Sequence, residues 1–373
     1  MQAEQSSSLR PAEGAGRVAE PGPPVGIAVV GAGYWGPNLV RNALQSRRTR
    51  LIAVVDRDLA RADQVAGAFA GVQATDDLDS VLADPAVEAV AVATPAATHL
   101  DVARAAIEAG KHVLVEKPLA ADYRAGLELA RAAQARGVVL MCDHTYCYTP
   151  AVQRIRALVH SGVLGDIQFI DSVRINLGLV QRDVNVFWDL APHDLSILDF
   201  ILPDGVQPLA VAAQGADPIG AGQACVGYLT LQLPGGAIAH VHVNWLSPVK
   251  VRTTTIGGSK RTLVWDDLNP AQRISVYDRG VDLADPADLG ADDRRQAIVS
   301  YRSGDMVAPA LPEREALQGV LAEFTDCIRT GRAPVTDGWS GLRVLDILEA
   351  ASRSLEFAGA VVPLRASDRG EGR

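Results

Sequence analysis

The chain has 373 residues, 48% of them hydrophobic and 21% charged, which is enough apolar material for a buried core and length for two or three domains. Its net charge of −9 at pH 7 weighs against nucleic acid or an anionic membrane as main partner, because phosphate surfaces are met by clustered Lys and Arg. Small-molecule chemistry is the better expectation. No stretch approaches the roughly 18 consecutive apolar residues that span a bilayer. Residues 1–24 are polar and rich in Pro and Gly; without the apolar segment of a secretory signal they read as a disordered tail, and a cytoplasmic address with no membrane partner follows. Cys142, Cys147, Cys225 and Cys327 lack the spacing of a metal site or a disulfide framework, so buried free thiols are expected and no metal.

From Val25 onward, short apolar runs (VGIAVVG, LIAVVD, VEAVAVA, HVLVEKP, VVLMCD) alternate with Ala-rich amphipathic segments. Continuous apolar strands joined by helices predict a parallel sheet covered on both faces, a doubly wound α/β domain over residues 25–146. Beyond it the pattern changes to helix, strand, helix and then consecutive alternating strands, including ACVGYLTLQLP, AIAHVHVNWLS, VRTTTIGG and RTLVWDD. Strands without intervening helices predict an α+β domain over 147–364 with an open antiparallel sheet. DLADPADLGADDRR, residues 282–295, reads as an acidic surface loop, two helical segments close the domain, and 365–373 reads as a second tail.

Gly31-Ala32-Gly33-Tyr34-Trp35-Gly36 follows the first strand and opens a helix, the context that G-x-G-x-x-G requires to bind a dinucleotide. The first glycine makes the turn, the second admits a pyrophosphate and the third lets helix pack on strand. Asp56 ends the next strand, where an acidic side chain takes the ribose hydroxyls of NAD; its alternative reading is a helix N-cap. Arg57 beside it could meet a 2′-phosphate, so NAD is favoured with NADP as the alternative. Only four of the 35 basic residues are lysine, and Lys117 sits at the C-terminal end of a parallel strand, ahead of Pro118, where doubly wound sheets form their ligand crevice. Asp189 and His193 lie one helical turn apart. Pro192 between them predicts a helix starting near Asp189, with N-cap and ordinary surface His as the plain readings. His240, His242 and Asn244 share a sheet face without a third ligand in register, and Trp188, Trp245, Trp265 and Trp339 read as core aromatics.

Taken in order, GAGYWGPN, VATPAATH, VEKP, HTYCYTPAV and WDLAPHDLSIL resemble the Gfo/Idh/MocA oxidoreductase family over about Val25–Leu364, and in motif style its members acting on nucleotide-linked sugars, such as UDP-N-acetylglucosaminuronate 3-dehydrogenases. The resemblance implies an N-terminal Rossmann domain, a C-terminal α/β domain whose open sheet forms a homodimer or homotetramer, and catalysis by Lys117, Asp189 and His193. It places Thr94, Pro95 and His99 along the cofactor with Tyr34, Trp35 and Glu116, and His144, Tyr148 and Asn185 toward substrate. Arg174 and Asn176, alternate residues of SVRINLG, could also reach substrate, Arg174 as a candidate for a carboxylate or phosphate; the plain reading is an ordinary solvated strand face. Cys142 and Asp143 depart from the family pattern, which expects small residues ahead of His144.

Hydride transfer from a secondary alcohol needs a base for the hydroxyl proton. His193 suits that proton with Asp189 orienting it and Lys117 bonding the substrate oxygen; in the other assignment Lys117 is the acid/base and His193 positions substrate. The leading expectation is an NAD-dependent oxidoreductase acting on a sugar ring carbon in a bacterial biosynthetic pathway. The alternatives are an NADPH-dependent deoxysugar 3-ketoreductase, an inositol or inosose dehydrogenase, an NAD-dependent glycosidase, and a non-catalytic sensor.

Overall fold

The computed structural model describes residues 22–67, 69–181, 184–283 and 299–365. The two predicted tails, up to residue 21 and from residue 366, and all but the first two residues of the predicted acidic loop lie outside them; those two belong to a strand, β13 (Ile274–Leu283).

Six short strands, β1 (Val25–Val30), β2 (Thr49–Val55), β3 (Gln73–Thr75), β4 (Ala89–Val92), β5 (His112–Glu116) and β6 (Leu140–Asp143), pair in parallel in the order β3-β2-β1-β4-β5-β6. Every residue of β1 and β4 is buried, because helices cover both faces. These are α1 (Gly36–Gln45), α2 (Leu59–Ala66), α3 (Leu78–Ala83), α4 (His99–Glu108) and α5 (Tyr123–Arg136). Asp58, Asp77 and Asp122 cap α2, α3 and α5 by accepting the backbone N–H of Ala60, Ser80 and Ala125, which satisfies donors that a helix start leaves orphaned. Strand order reverses between β1 and β4, so the loops after them diverge and open a crevice at the C-terminal ends of the strands.

The rest of the chain builds a nine-stranded sheet, β14-β13-β12-β11-β7-β10-β9-β8-β15, after helix α6 (Pro150–His160). Its strands are β7 (Ile167–Leu177), β8 (Ala210–Ala216), β9 (Val226–Gln232), β10 (Ile238–Asn244), β11 (Leu246–Gly258), β12 (Thr262–Asp266), β13, β14 (Val299–Val307) and β15 (Val362–Pro363). It is mixed rather than wholly antiparallel: β10 runs parallel to β7. The reason is the path of the chain, because α7 (Val186–Ile201) intervenes after β7 and the antiparallel succession β8-β9-β10 then returns beside β7 in the same direction. Ile170, Ser172 and Arg174 on β7, Val241 and Val243 on β10, and Thr254 and Ile256 on β11 form the buried face. Phe169, Tyr228 and Ile238 on the other face remain partly exposed, and Tyr228 stacks on His240 and His242.

Helix α7 begins earlier than Pro192 suggested. Asn185 caps it through the N–H groups of Phe187 and Trp188, and Pro192 falls in the second turn. Helices α8 (Ala316–Thr330) and α9 (Gly338–Glu356) return to the first sheet: Glu315 pairs with Arg41 at 3.0 Å, Arg329 with Glu88 at 2.6 Å, and α9 packs on α5. All four cysteines are free and buried.

Candidate active site

The glycine loop is shaped by contact. Gly31 has a φ of +103°, and a Cβ there would meet the Ala93 carbonyl at 2.7 Å; one on Gly36 would lie 2.0 Å from the Gly31 carbonyl oxygen. Gly33 differs, since nothing stands within 4 Å of where its Cβ would be. Its bare backbone faces open space at the entry of α1, where a pyrophosphate can approach. Asp56 accepts the Ala32 N–H at 2.7 Å and the Asp58 N–H at 2.9 Å. It is therefore not the cap of α2, which is Asp58, and its carboxylate stands at the mouth of the loop in the position that takes ribose hydroxyls. Arg57 and Pro95 are exposed, Tyr34 is 92% exposed, and Trp35 is half-buried ahead of α1. This loop, with open space at Gly33 and an acid beside it, fits NAD.

His99 sits beneath the loop after β4, at the C-terminal ends of β4 and β5. It is buried, with Nδ1 2.8 Å from the Pro118 carbonyl and Nε2 2.8 Å from the Thr94 carbonyl. Burial pushes its pKa down, and a neutral ring can donate only one of those two bonds. The side chain staples the loop after β4 to the Lys117–Pro118 turn, whose peptide is cis. Thr94 receives the Thr98 hydroxyl at 2.9 Å.

At the end of β5, Lys117 reaches across to α7. Its Nζ donates to the Asp189 carbonyl at 2.9 Å and lies 3.5 Å from Asp189 Oδ1. Pro192 supplies no N–H to this stretch of the helix, and Lys117 serves a carbonyl in the turn before it. Asp189 Oδ2 accepts the Trp245 indole N–H at 2.9 Å. The carboxylate is thus held by Lys117 and Trp245, not by His193 one turn on. His193 stands edge-on to Tyr146, with centroids 5.1 Å apart. Burial first, then the positive field of Lys117, Arg174 and Arg252, drives its pKa well down. The ring is neutral at neutral pH, the form that accepts a proton.

Tyr146 is the hinge of the neighbouring cluster. Arg252 Nη1 donates to its hydroxyl at 2.6 Å, and the Arg174 guanidinium lies over its ring at 4.4 Å. Arg174 itself is buried and bound in fork fashion to Asp194, at 2.7 and 3.1 Å, with Ser172 donating to the same carboxylate. Its remaining Nη1 has no protein partner. Asn176 lies farther along the same face of β7. His144 is buried with neither ring nitrogen bonded, and burial holds it down at about 4. Tyr148 turns away: its hydroxyl pairs with Thr336 at 2.8 Å in the core.

Lys117, Asp189 and His193 are therefore gathered at one end of the crevice, whereas Tyr148, His99 and Asn185 serve packing, a staple and a cap. Trp245, Tyr146, Arg252 and Asp194 were not read as site residues. Alternation held one clue, since Arg252 shares the apolar face of Thr254 and Ile256 and pairs in register with Arg174. Among the described residues no group of three His, Cys, Asp or Glu is placed to hold a metal ion, and no helix is long and apolar enough to cross a membrane.

A dinucleotide crevice ending in a lysine, a fixed carboxylate and a neutral histidine is the equipment of an NAD-dependent oxidoreductase acting on CH–OH groups. The chain belongs to the Gfo/Idh/MocA oxidoreductase family: the family's NAD-binding Rossmann-fold domain matches residues 25–144 and its C-terminal domain residues 152–264. UDP-N-acetylglucosamine 3-dehydrogenase of Acidithiobacillus ferrooxidans is 28% identical over 80% of this chain and 87% of its own length. Its crystal structure superposes with a TM-score of 0.75 at 26% identity, covering 89% of this chain and 98% of that one. GenD2 from gentamicin A biosynthesis, solved with NAD, gives 0.76 at 26% identity over 94% and 99%. Inositol 2-dehydrogenase of Rhizobium meliloti is 26% identical over 89% of this chain and 97% of its own.

Proposed function

We propose that this enzyme transfers hydride between NAD and a ring secondary alcohol or ketone of a sugar, and that the sugar is nucleotide-linked. The observation that carries the reading is the cluster of Lys117, Asp189 and His193 at the crevice end. The likeness to a nucleotide-sugar 3-dehydrogenase over most of the chain, and to GenD2, supports the substrate class and a biosynthetic setting. When bound, NAD accepts or returns the hydride. In oxidation, neutral His193 takes the hydroxyl proton, and in reduction it gives one back. Lys117 has three N–H donors; two are turned to Asp189, and the third is available to a substrate oxygen on which negative charge develops. Asp189, steadied by Trp245, fixes the Lys117 amine. The partnership expected between Asp189 and His193 is replaced in this reading by Asp189 with Lys117. The exposed face of the nine-stranded sheet, with Phe169, Tyr228 and Ile238, is the surface we assign to contact between copies of the chain.

The test is to identify the nicotinamide that copurifies, then follow reduction of NAD and NADP with UDP- and dTDP-sugars, uronates and inositols. Turnover is expected with a nucleotide sugar and NAD. His193→Ala and Lys117→Ala are expected to lose about 10²–10⁴-fold in turnover while still binding NAD. Turnover with inositols alone would overturn the substrate class, and near-normal rates in both variants would overturn the assignment of roles.

A further inference from the structure

Glu116 and Asp143 occupy paired positions at the C-terminal ends of the adjacent parallel strands β5 and β6, so their side chains leave the sheet on the same face. Asp143 is 1% exposed. One oxygen of each carboxyl has a donor: the Thr145 hydroxyl gives Asp143 Oδ1 a bond at 2.8 Å, and the Lys117 N–H gives Glu116 Oε2 one at 3.1 Å. The other two, Glu116 Oε1 and Asp143 Oδ2, are sealed from solvent, and no N–H or O–H meets either with hydrogen-bond geometry. The register sets the two carboxyls side by side, and the Trp35 indole, whose Nε1 likewise lacks a partner, faces Asp143. Ionised carboxylates have only lone pairs to offer, and two of them in a dry pocket repel. One proton between them turns that repulsion into a charge-assisted bond. Burial pushes both carboxyls upward, and a charge on either raises the other.

We propose that Glu116 and Asp143 form an acid pair that shares one proton, and that this pair is a positioning device for Lys117, tying the ends of β5 and β6 together and setting one buried negative charge beside the amine. The groups facing it are Trp35 from the glycine loop; Cys142, Thr145, Cys147 and Tyr148 from β6 and the turn after it; and Lys117 from β5, with Asp189, His193 and His144 around the amine. Lys117 is the cation that acts on the pair, favouring one net negative charge over none. The shared proton rests on the paired register, the burial and the two unpartnered oxygens, and needs no assignment of substrate. Its consequence for turnover rests on the role given to Lys117 above.

The experiment has two arms. Infrared spectra of the folded protein at neutral pH are expected to show the carbonyl stretch of a protonated carboxylic acid, lost in Asp143→Asn and equally in Glu116→Gln, because either amide replaces the shared proton and leaves its neighbour ionised. A band that survives in both variants, or is missing from the unsubstituted protein, overturns the acid pair; this arm needs no substrate. The second arm is the pH profile of turnover. In the double variant Glu116→Gln/Asp143→Asn the charge is gone, and the alkaline limb is expected to move to lower pH by about one unit or more, with NAD affinity and melting temperature measured alongside. Asp143→Asn alone retains the Glu116 charge and is expected to keep the limb in place. An unmoved limb in a folded, NAD-binding double variant overturns the positioning role. Should the double variant not fold, the single variants still decide the shared proton.

Discussion

Trp245→Phe tests whether a tryptophan in the core acts on the chemistry. The indole is 1% exposed and spends its N–H on Asp189 Oδ2 at 2.9 Å. Phenylalanine keeps most of the ring packing and deletes that donor. A hydrogen bond to a charged group is worth about 1.5–3 kcal/mol; the Asp189 side chain is 23% exposed, so water restores part of it, and the low end, about 1.5 kcal/mol, applies. Released on that side, the carboxylate swings toward Lys117 and the amine loses its fixed place, for a fall in kcat of roughly tenfold. The smaller ring also leaves a void, and stability falls by about 1–2 kcal/mol. The assay is steady-state kinetics with the nucleotide sugar identified as substrate, beside urea unfolding, for Trp245→Phe, Asp189→Asn and the double variant. If Trp245 acts through Asp189, its substitution costs much less than tenfold once Asp189 is Asn. Wild-type kcat with lowered stability, or the full tenfold added on top of Asp189→Asn, would refute the argument and leave Trp245 as packing alone.

Two of the loop's three glycines, Gly33 and Gly36, are expected to separate fold from cofactor. Gly33→Ala meets no protein atom and should melt like the unsubstituted apoprotein but lose most of the rise in melting temperature on adding NAD, whereas Gly36→Ala drives a methyl into the Gly31 carbonyl and should lose about 1–3 kcal/mol with or without NAD. Equal melting curves for the two variants would contradict this. Buried His144 makes stability depend on pH: its folded pKa is depressed from 6.5 to about 4, so below 6.5 the unfolded chain binds a proton that the native state does not, and stability falls as pH drops through that window. His144→Gln should therefore recover about 2 kcal/mol relative to the unsubstituted protein between pH 7 and pH 5, read from urea unfolding at both. His99 and His193 contribute slope of the same sign in both proteins and cancel in the difference; an unchanged gap would place the titration elsewhere.

Local order was legible because local physics produces it. A run such as VGIAVV, buried at every residue, can only be a strand covered on both faces, and GAGYWG behind it states its own turn, close approach and helix start. Lys117 at a strand end and the i, i+4 pair of Asp189 and His193 could be marked for the same reason. What each side chain would bind could not. Asp189 meets Trp245 across 56 residues and Lys117 across 72, and the twisted β7-β11 face decides that Arg174 is consumed by Asp194 while Arg252 holds Tyr146. Tyr146 and Tyr148 sit in one short helical turn, and only the packing of Thr336 beneath it sends Tyr148 to the core and leaves Tyr146 at the site. Asn185, as cap, moved the start of α7 and put Pro192 in its second turn, where a composition rule forbade it and a lysine from the other domain serves a carbonyl close by. Most of the elements, their order along the chain and the chemical groups at hand are written in the local pattern of residues. Which groups became partners was decided by tertiary structure alone, because a hydrogen bond or an ion pair is specified by direction and distance, and those exist only once distant segments have packed.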